Sequence, residues 1–282
     1  MAAAPLLDFQ QHRIPPLMVN PRFIRPPRRD RPSSLISRVA DGVLNLFYPE
    51  SCVICSVPVS RMQNRGVCPD CQQKILLQRI TGPLCPSCGV PFQSLETEST
   101  HLCGPCILQL PPYAGARAFG RYSSELSRII QAFKFDGRRN LAGLLAPLLA
   151  EILQESWSLQ EIDLIVPVPL HPKRKRARGY NQALLLARDL AGLVGLPCRH
   201  DALRRVRHTL PQVGLSDAER ARNLRRAFFC KKPAVVKGLH VLLVDDVMTT
   251  GSTAASAAEA LLEGGALRVS VLTLARAVAG QE

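Results

Sequence analysis

The chain has 282 residues, room for about two domains, and its 46% hydrophobic share supports a buried core. No run of ~18 apolar residues occurs, since the richest stretch, 141–149, contains Pro147 and soon meets Glu151, so no membrane span is expected. The net charge of +14 is concentrated: residues 171–226 hold 14 Lys+Arg against 4 Asp+Glu and residues 1–40 hold 7 Arg against 2 Asp, a pattern that asks for phosphate, pyrophosphate or nucleic acid as partner.

Residues 1–40 read as a basic, Pro/Arg-rich disordered arm. Pro15, Pro16, Pro26, Pro27 and Pro32 interrupt any helix, and Arg22, Arg25, Arg28, Arg29 and Arg31 repel one another. The arm suits contact with nucleic acid or acidic lipid, or is simply solvated. Its apolar start is cut short by Asp8 and lacks a basic n-region, so a cytoplasmic location is expected. An amphipathic helix is expected over 35–46.

Four Cys-x-x-Cys pairs follow: Cys52 and Cys55, Cys68 and Cys71, Cys85 and Cys88, Cys103 and Cys106, separated by 12, 13 and 14 residues. Each pair can present two thiolates from one tight turn, and two turns complete a tetrahedral zinc site. Eight ligands make about two structural Zn²⁺ sites, a double zinc ribbon over 41–112. The pairing is sequential or interleaved; spacing leaves both open. Filled with thiolates, the sites keep no open position for catalysis. A segment this small and hydrophilic gains its folding energy from the metal. His101 is expected to face solvent.

Gln109 to Pro112 marks a boundary, after which an α/β domain is expected over 113–282. Strands are predicted over 116–122, 163–170 and 268–274. Helices are predicted over 124–133, 141–153 and 183–193 from apolar residues at helical spacing. Trp157 reads as core packing, and Cys198 and Cys230 as small buried hydrophobes. Pro167 and Pro169 end the second strand, since neither donates a ladder hydrogen bond. A basic loop then carries Lys173, Arg174, Lys175, Arg176 and Arg178, the makings of an anion site. Residues 204–228 have the character of a mobile arginine-rich lid, in which Thr209, Gln212, Arg220, Arg222 and Asn223 stand out.

The most informative stretch is 241–253. An apolar run of four suits a strand buried on both faces. Asp245 and Asp246 follow at its carboxyl end, then Thr249, Thr250, Gly251, Ser252 and Thr253, and an alanine-rich helix over 254–263. A helix N-terminus with its free amides favours an anion, Gly251 lets backbone approach closely, and the hydroxyls add donors: a cradle for a monophosphate. The carboxylates suit sugar hydroxyls or Mg²⁺.

Residues 245–253 resemble the phosphoribosyl pyrophosphate (PRPP) signature of type I phosphoribosyltransferases. Taken with Cys85-Pro-Ser-Cys-Gly-Val-Pro91, Cys103-Gly-Pro-Cys106, Lys134-Phe135, Pro167-Val-Pro-Leu170, Arg178-Gly-Tyr-Asn-Gln182, Gln212, Arg220, Arg222 and Asn223, the chain over roughly 50–277 resembles the ComF family. The resemblance implies a zinc module fused to a type I phosphoribosyltransferase fold, a central parallel sheet flanked by helices. It implies PRPP with Mg²⁺ as ligand: the 5′-phosphate on 249–253, and pyrophosphate on the basic loop and the lid residues Gln212, Arg220 and Arg222. It also implies handling of single-stranded DNA beside the DNA-uptake machinery.

Two functions are carried forward. One is a PRPP-binding competence-type protein that handles single-stranded DNA, with Phe133, Phe135 and Tyr180 as stacking candidates. The other is an active phosphoribosyltransferase in which Asp245 and Asp246 stabilise an oxocarbenium-like transition state on the way to an unidentified acceptor.

Overall fold

The computed structural model describes residues 50–59, 66–92, 101–206 and 227–278. The arm over 1–40, the helix expected over 35–46, and the lid residues Thr209, Gln212, Arg220, Arg222 and Asn223 lie outside them.

The cysteine-rich part opens with a short hairpin, β1 (Glu50–Ser51) and β2 (Pro58–Val59), and holds two small helices, α1 (Pro69–Leu76) and α2 (Gly104–Leu108). Cys68 and Cys103 occupy the N-cap positions of these helices, each with proline in the first turn, where its missing N–H costs nothing. The α/β part then runs β3 (Gly115–Arg121), α3 (Ser124–Phe135), α4 (Ala142–Ser156), β4 (Leu164–Pro167), α5 (Pro172–Arg178) and α6 (Gln182–Val194). It continues with β5 (Leu203–Arg205), β6 (Phe228–Cys230), α7 (Pro233–Val236), β7 (His240–Met248), α8 (Ser252–Glu263) and β8 (Arg268–Arg276). Residues 43–282 form one compact unit.

Four strands make a parallel sheet in the order β3-β8-β7-β4. Side chains alternate between its faces. Leu242, Val244, Leu272 and Leu274 join one core with Ile129 and Phe133 of α3, Leu145 and Leu149 of α4 and Leu186 of α6. Val241, Leu243, Val269 and Val271 join the other with Ala257 and Leu261 of α8 and with Leu203 and Phe228 of the β5–β6 hairpin. Both faces of the central strands are dry, which is why they read as apolar runs.

Both sheet edges are covered. On β4, Pro197 accepts from the amide of Ile165, and Ile165 accepts from the amide of Arg199. On β3 the cysteine-rich part does the covering: the Ala116 amide donates to Ser87, the Ile80 amide to Phe119 and the Arg121 amide to Gln78. An uncovered edge would present these groups to other chains. Cys52, Cys68 and Cys71 also pack into the same core as Phe119 and Leu126, so the two parts share apolar burial as well as hydrogen bonds.

Two expectations are corrected. The strand after Asp163 ends at Pro167, as its prolines require, but the basic loop beyond it is a helix, α5: the His171 side chain accepts from the Lys173 amide, Pro172 opens it, and Gly179 ends it in the left-handed region at φ +75°. The strand with the acid pair runs on to Met248, so both carboxylates lie inside β7, held by pairing with β8. Cys230 is buried, as expected, and Cys198 only partly so. Trp157 packs half-buried on the core beneath the Arg117 guanidinium.

Candidate functional site

The cysteines gather as two sets, Cys52, Cys55, Cys68 and Cys71, and Cys85, Cys88, Cys103 and Cys106, with the four sulfurs of each within 4.8 Å of one another. The pairing is therefore sequential. Cys55 Sγ lies 3.6 Å from Cys68 Sγ, and Cys88 Sγ 3.5 Å from Cys103 Sγ. A tetrahedron with Zn–S bonds of 2.3 Å has edges of about 3.8 Å, so both sets fit structural zinc. Backbone amides already point at the sulfurs: Cys68 N at Cys52 Sγ, Cys71 N at Cys68 Sγ and Cys103 N at Cys85 Sγ, each at 3.4 Å. Burial opposes the Cys52 thiolate, but the amides of Cys68, Cys55 and Ile54 outweigh it and bring the thiol down to about 6. Cys85 behaves alike, at about 6, through the amides of Cys103, Cys88 and Ser87. His101 is exposed and stacks on Phe92, leaving the second set purely cysteine.

Across the sheet, the carboxyl ends of β4 and β7 lie side by side, with Val168 N donating to Val244 O. Open α/β sheets bind ligands at this edge. Asp246 is buried, and its Oδ1 takes a 3.0 Å ion pair from Lys134 Nζ at the end of α3. Asp245 is half-buried and accepts from the Asp246 amide. Burial first, and then the Asp246 charge, push the Asp245 carboxyl up to about 7, against the pull of that amide, Lys134 and Arg205. Such a pair is built to meet hydroxyl donors or a cation rather than another anion.

Downstream, Gly251 caps α8 in the left-handed region at φ +84°. A side chain there would meet Met248 Cε at 2.8 Å and the Tyr113 hydroxyl at 3.2 Å, so glycine answers both a backbone and a space requirement. Thr249 and Thr250 are exposed, and Ser252 and Thr253 half-buried. Thr250 Oγ1 and Ser252 Oγ share a 2.7 Å hydrogen bond. This hydrogen bond fixes the turn, its hydroxyls beside the first amides of a twelve-residue helix.

The basic helix α5 divides its residues. Lys173, Lys175 and Arg176 are exposed, while Arg174 and Arg178 are half-buried. Burial lowers the Arg205 pKa, with the Arg174 charge acting the same way and the Asp245 charge opposing it, so Arg174, Arg205 and Asp245 share one electrostatic neighbourhood. Arg178 turns the other way, its guanidinium 4.8 Å from the Phe135 ring centroid and its Nη1 on Gln182 Oε1. Phe133 and Tyr180 are not available for base stacking, as both rings are core and the Tyr180 hydroxyl donates to the Phe133 carbonyl. Phe135 is 67% exposed.

Sequence reasoning assigned no role to Lys134, although its place at the last turn of an amphipathic helix was legible. It passed over Arg205 and Tyr113 as well. Nothing local marks these residues, because the fold alone brings them to the acid pair and the turn.

A double zinc ribbon domain model matches residues 43–107 and a phosphoribosyl transferase domain model matches residues 181–282. The chain is 38% identical to the DNA utilization protein YhgH of Salmonella typhimurium over 234 residues, 82% of this chain and 99% of that protein. It is 35% identical to Competence protein F of Haemophilus influenzae, over 82% of this chain and 99% of that one. Competence protein ComFC of Bacillus subtilis is 30% identical over 74% of this chain and 84% of its own. Among solved structures, adenine phosphoribosyltransferase from Saccharomyces cerevisiae aligns at TM-score 0.30 and 19% identity, over 73% of this chain and 90% of that one. With identity at these levels spread over nearly the full length of its relatives, and with both the zinc ribbon and the phosphoribosyltransferase parts present, the chain belongs to the ComF family.

Proposed function

We propose that this protein binds PRPP with Mg²⁺ at the carboxyl edge of the sheet and handles single-stranded DNA in the cytoplasm during DNA uptake. The observation that carries the ligand is the continuity of the acid pair with the turn: Asp245 and Asp246 within β7, then Gly251 in the left-handed region opening α8. In this reading the turn 249–253 holds the 5′-phosphate by its amides and hydroxyls, and the carboxylates accept from the ribose hydroxyls. Mg²⁺ would neutralise the pyrophosphate oxygens, and Arg174 and Arg205 offer further positive charge on the same side. The role in DNA rests on the names of the relatives, a competence protein and a DNA utilization protein, and on the +10 balance of residues 171–226. Contact with the DNA-uptake machinery belongs to the same reading. Calorimetry tests the ligand: PRPP with Mg²⁺ binds the wild type and not the Asp245→Asn/Asp246→Asn variant. Unchanged binding in the variant overturns it.

A second reading, catalysed transfer, is favoured by the placement of the acid pair, Asp246 buried and Asp245 half-buried. When the C1–O bond breaks, pyrophosphate departs with the electron pair and positive charge develops on the ribose. Buried anions beside it stabilise that charge more than exposed ones. The acceptor then bonds to C1 and gives up its proton. Pyrophosphate release, assayed with and without single-stranded DNA, separates transfer from binding alone.

A further inference from the structure

Arg276 closes β8 beside the ends of both neighbouring strands, in register with Met248 of β7 and Arg121 of β3. Its carbonyl accepts from the Tyr122 amide, and the next amide, that of Ala277, donates to the Met248 carbonyl, so its backbone is fixed. The residue is only 7% exposed, and Nε and Nη1 have no hydrogen-bond partner among the described residues. No ion pair joins it to a described carboxylate. A guanidinium stays charged at any pH a protein survives, and a buried charge needs a counter-charge. Left unpaired, it costs the fold stability, which is the mark of a group kept for a ligand.

The guanidinium is aimed at the turn that opens α8. A methyl on Gly251 would lie 3.9 Å from Arg276 Nη1 and 3.2 Å from the Tyr113 hydroxyl, so both groups border the same glycine. The turn itself offers the first amides of a twelve-residue helix, equivalent to only about half a positive charge. A phosphate monoester carries about −1.5 to −2. The other cations named above face the acid pair: Lys134 pairs with Asp246 at 3.0 Å, and Arg174 and Arg205 share the neighbourhood of Asp245. With two carboxylates just upstream in β7, a dianion on the turn would be repelled unless a full positive charge stood beside it. Arg276 supplies that charge from the β8 side.

We propose that Arg276 is a binding residue for the phosphate on the 249–253 turn, with Nε and Nη1 donating to a terminal phosphate dianion. The proposal rests on the reading that this turn holds the 5′-phosphate of PRPP, and adds to it the side chain that makes the turn select a phosphate monoester over an uncharged sugar. The guanidinium binds and neutralises, and takes no part in bond making.

The test uses the full-length, zinc-loaded chain and the variant Arg276→Met. Ribose 5-phosphate is the first probe, because it carries the monoester without the pyrophosphate, and PRPP with Mg²⁺ is the second. Calorimetry reads affinity, and thermal unfolding without ligand reads stability. In Arg276→Met the affinity for both probes falls at least about ten-fold, the lower bound for losing a charged hydrogen-bond donor. The thermal midpoint rises at the same time, because an apolar chain replaces a buried charge that had no partner. Wild-type affinity in Arg276→Met overturns the proposal. So does a lower midpoint or a variant that does not fold, since the arginine would then belong to the framework whatever happened to affinity. A wild type that binds ribose 5-phosphate and not PRPP sinks the PRPP reading and leaves Arg276 on the turn. PRPP bound equally by wild type and Arg276→Met sinks this inference alone, and a wild type that binds neither probe sinks both.

Discussion

Lys134 Nζ lies 3.0 Å from Asp246 Oδ1, tying the last turn of α3 to the carboxyl end of β7. Both side chains are more than four-fifths buried, at 17% and 12% exposure. Removing one partner of such a pair costs about 3 kcal/mol, mostly for the charge left behind. Lys134→Met is therefore expected to lose about that much in denaturant unfolding. Lys134→Met/Asp246→Asn should recover part of it, because no lone carboxylate remains. Equal destabilisation in the single and double variants would contradict the pairing.

Asp245 carries a signature in pH. Its carboxyl is raised from the ordinary 3.8 to about 7, so the folded protein binds this proton more tightly than the unfolded chain does. Its contribution is most favourable below the unfolded value and is lost as pH rises through about 7. Stability measured between pH 4 and pH 8 should contain a falling component over that window. Asp245→Asn should remove this component and be more stable than wild type at pH 8. An identical pH profile in the variant would disprove it.

Gly251→Ala faces two penalties, the left-handed φ of +84° and a contact of 2.8 Å with Met248 Cε. The backbone penalty alone is about 1–2 kcal/mol. The flexible methionine end can move, so the fold should survive, while the turn that would hold phosphate is displaced. The expected outcome is a modest fall in thermal midpoint with a large loss of PRPP affinity by calorimetry. A large stability loss with unchanged affinity would point away from the turn.

Zinc removal should reach the sheet. The cysteine-rich part supplies the backbone partners of β3 and shares its core. Elemental analysis is expected to return about two zincs per chain. Chelation should unfold the α/β part in the same transition and expose a sheet edge that aggregates. Gly89→Ala, whose methyl would meet Ala116 O at 2.2 Å, should loosen the same edge with both metals still bound. A sheet that melts independently of zinc would argue against shared folding.

The exposed cations of α5 set the salt dependence of DNA binding. Each phosphate contact to a single strand contributes about −0.7 to the slope of log K against log salt. Substituting Lys173, Lys175 and Arg176 by glutamine should flatten the slope by about 2 if all three make contacts. An unchanged slope would place the strand elsewhere.

Much of this architecture is written locally. Apolar runs and helical periodicity marked β3, β7, α3, α4 and α6 to within a few residues, because the strands are buried in the sheet and each helix buries a face against it. The boundary of α5 was also present, as proline after a capping histidine and glycine in the left-handed region, but its run of like charges read as a loop. The acid pair looked like the end of a strand because polar residues usually leave a sheet. Pairing with β8 carried β7 on to Met248.

By itself the sequence determined the chemistry on offer: eight thiols at knuckle spacing, an acid pair ahead of a hydroxyl-rich glycine turn, and a basic middle. These are legible because each depends on neighbours within a few residues. Tertiary structure alone decided which cysteine pairs close together, that Lys134 rather than an α5 cation meets Asp246, and that the cysteine-rich part seals the edge of β3. It alone brought the buried Arg276 guanidinium to the turn, where a methyl on Gly251 would lie 3.9 Å from its Nη1. Those relationships join residues tens to more than a hundred positions apart, and chain spacing carries no information about them until packing brings them into contact.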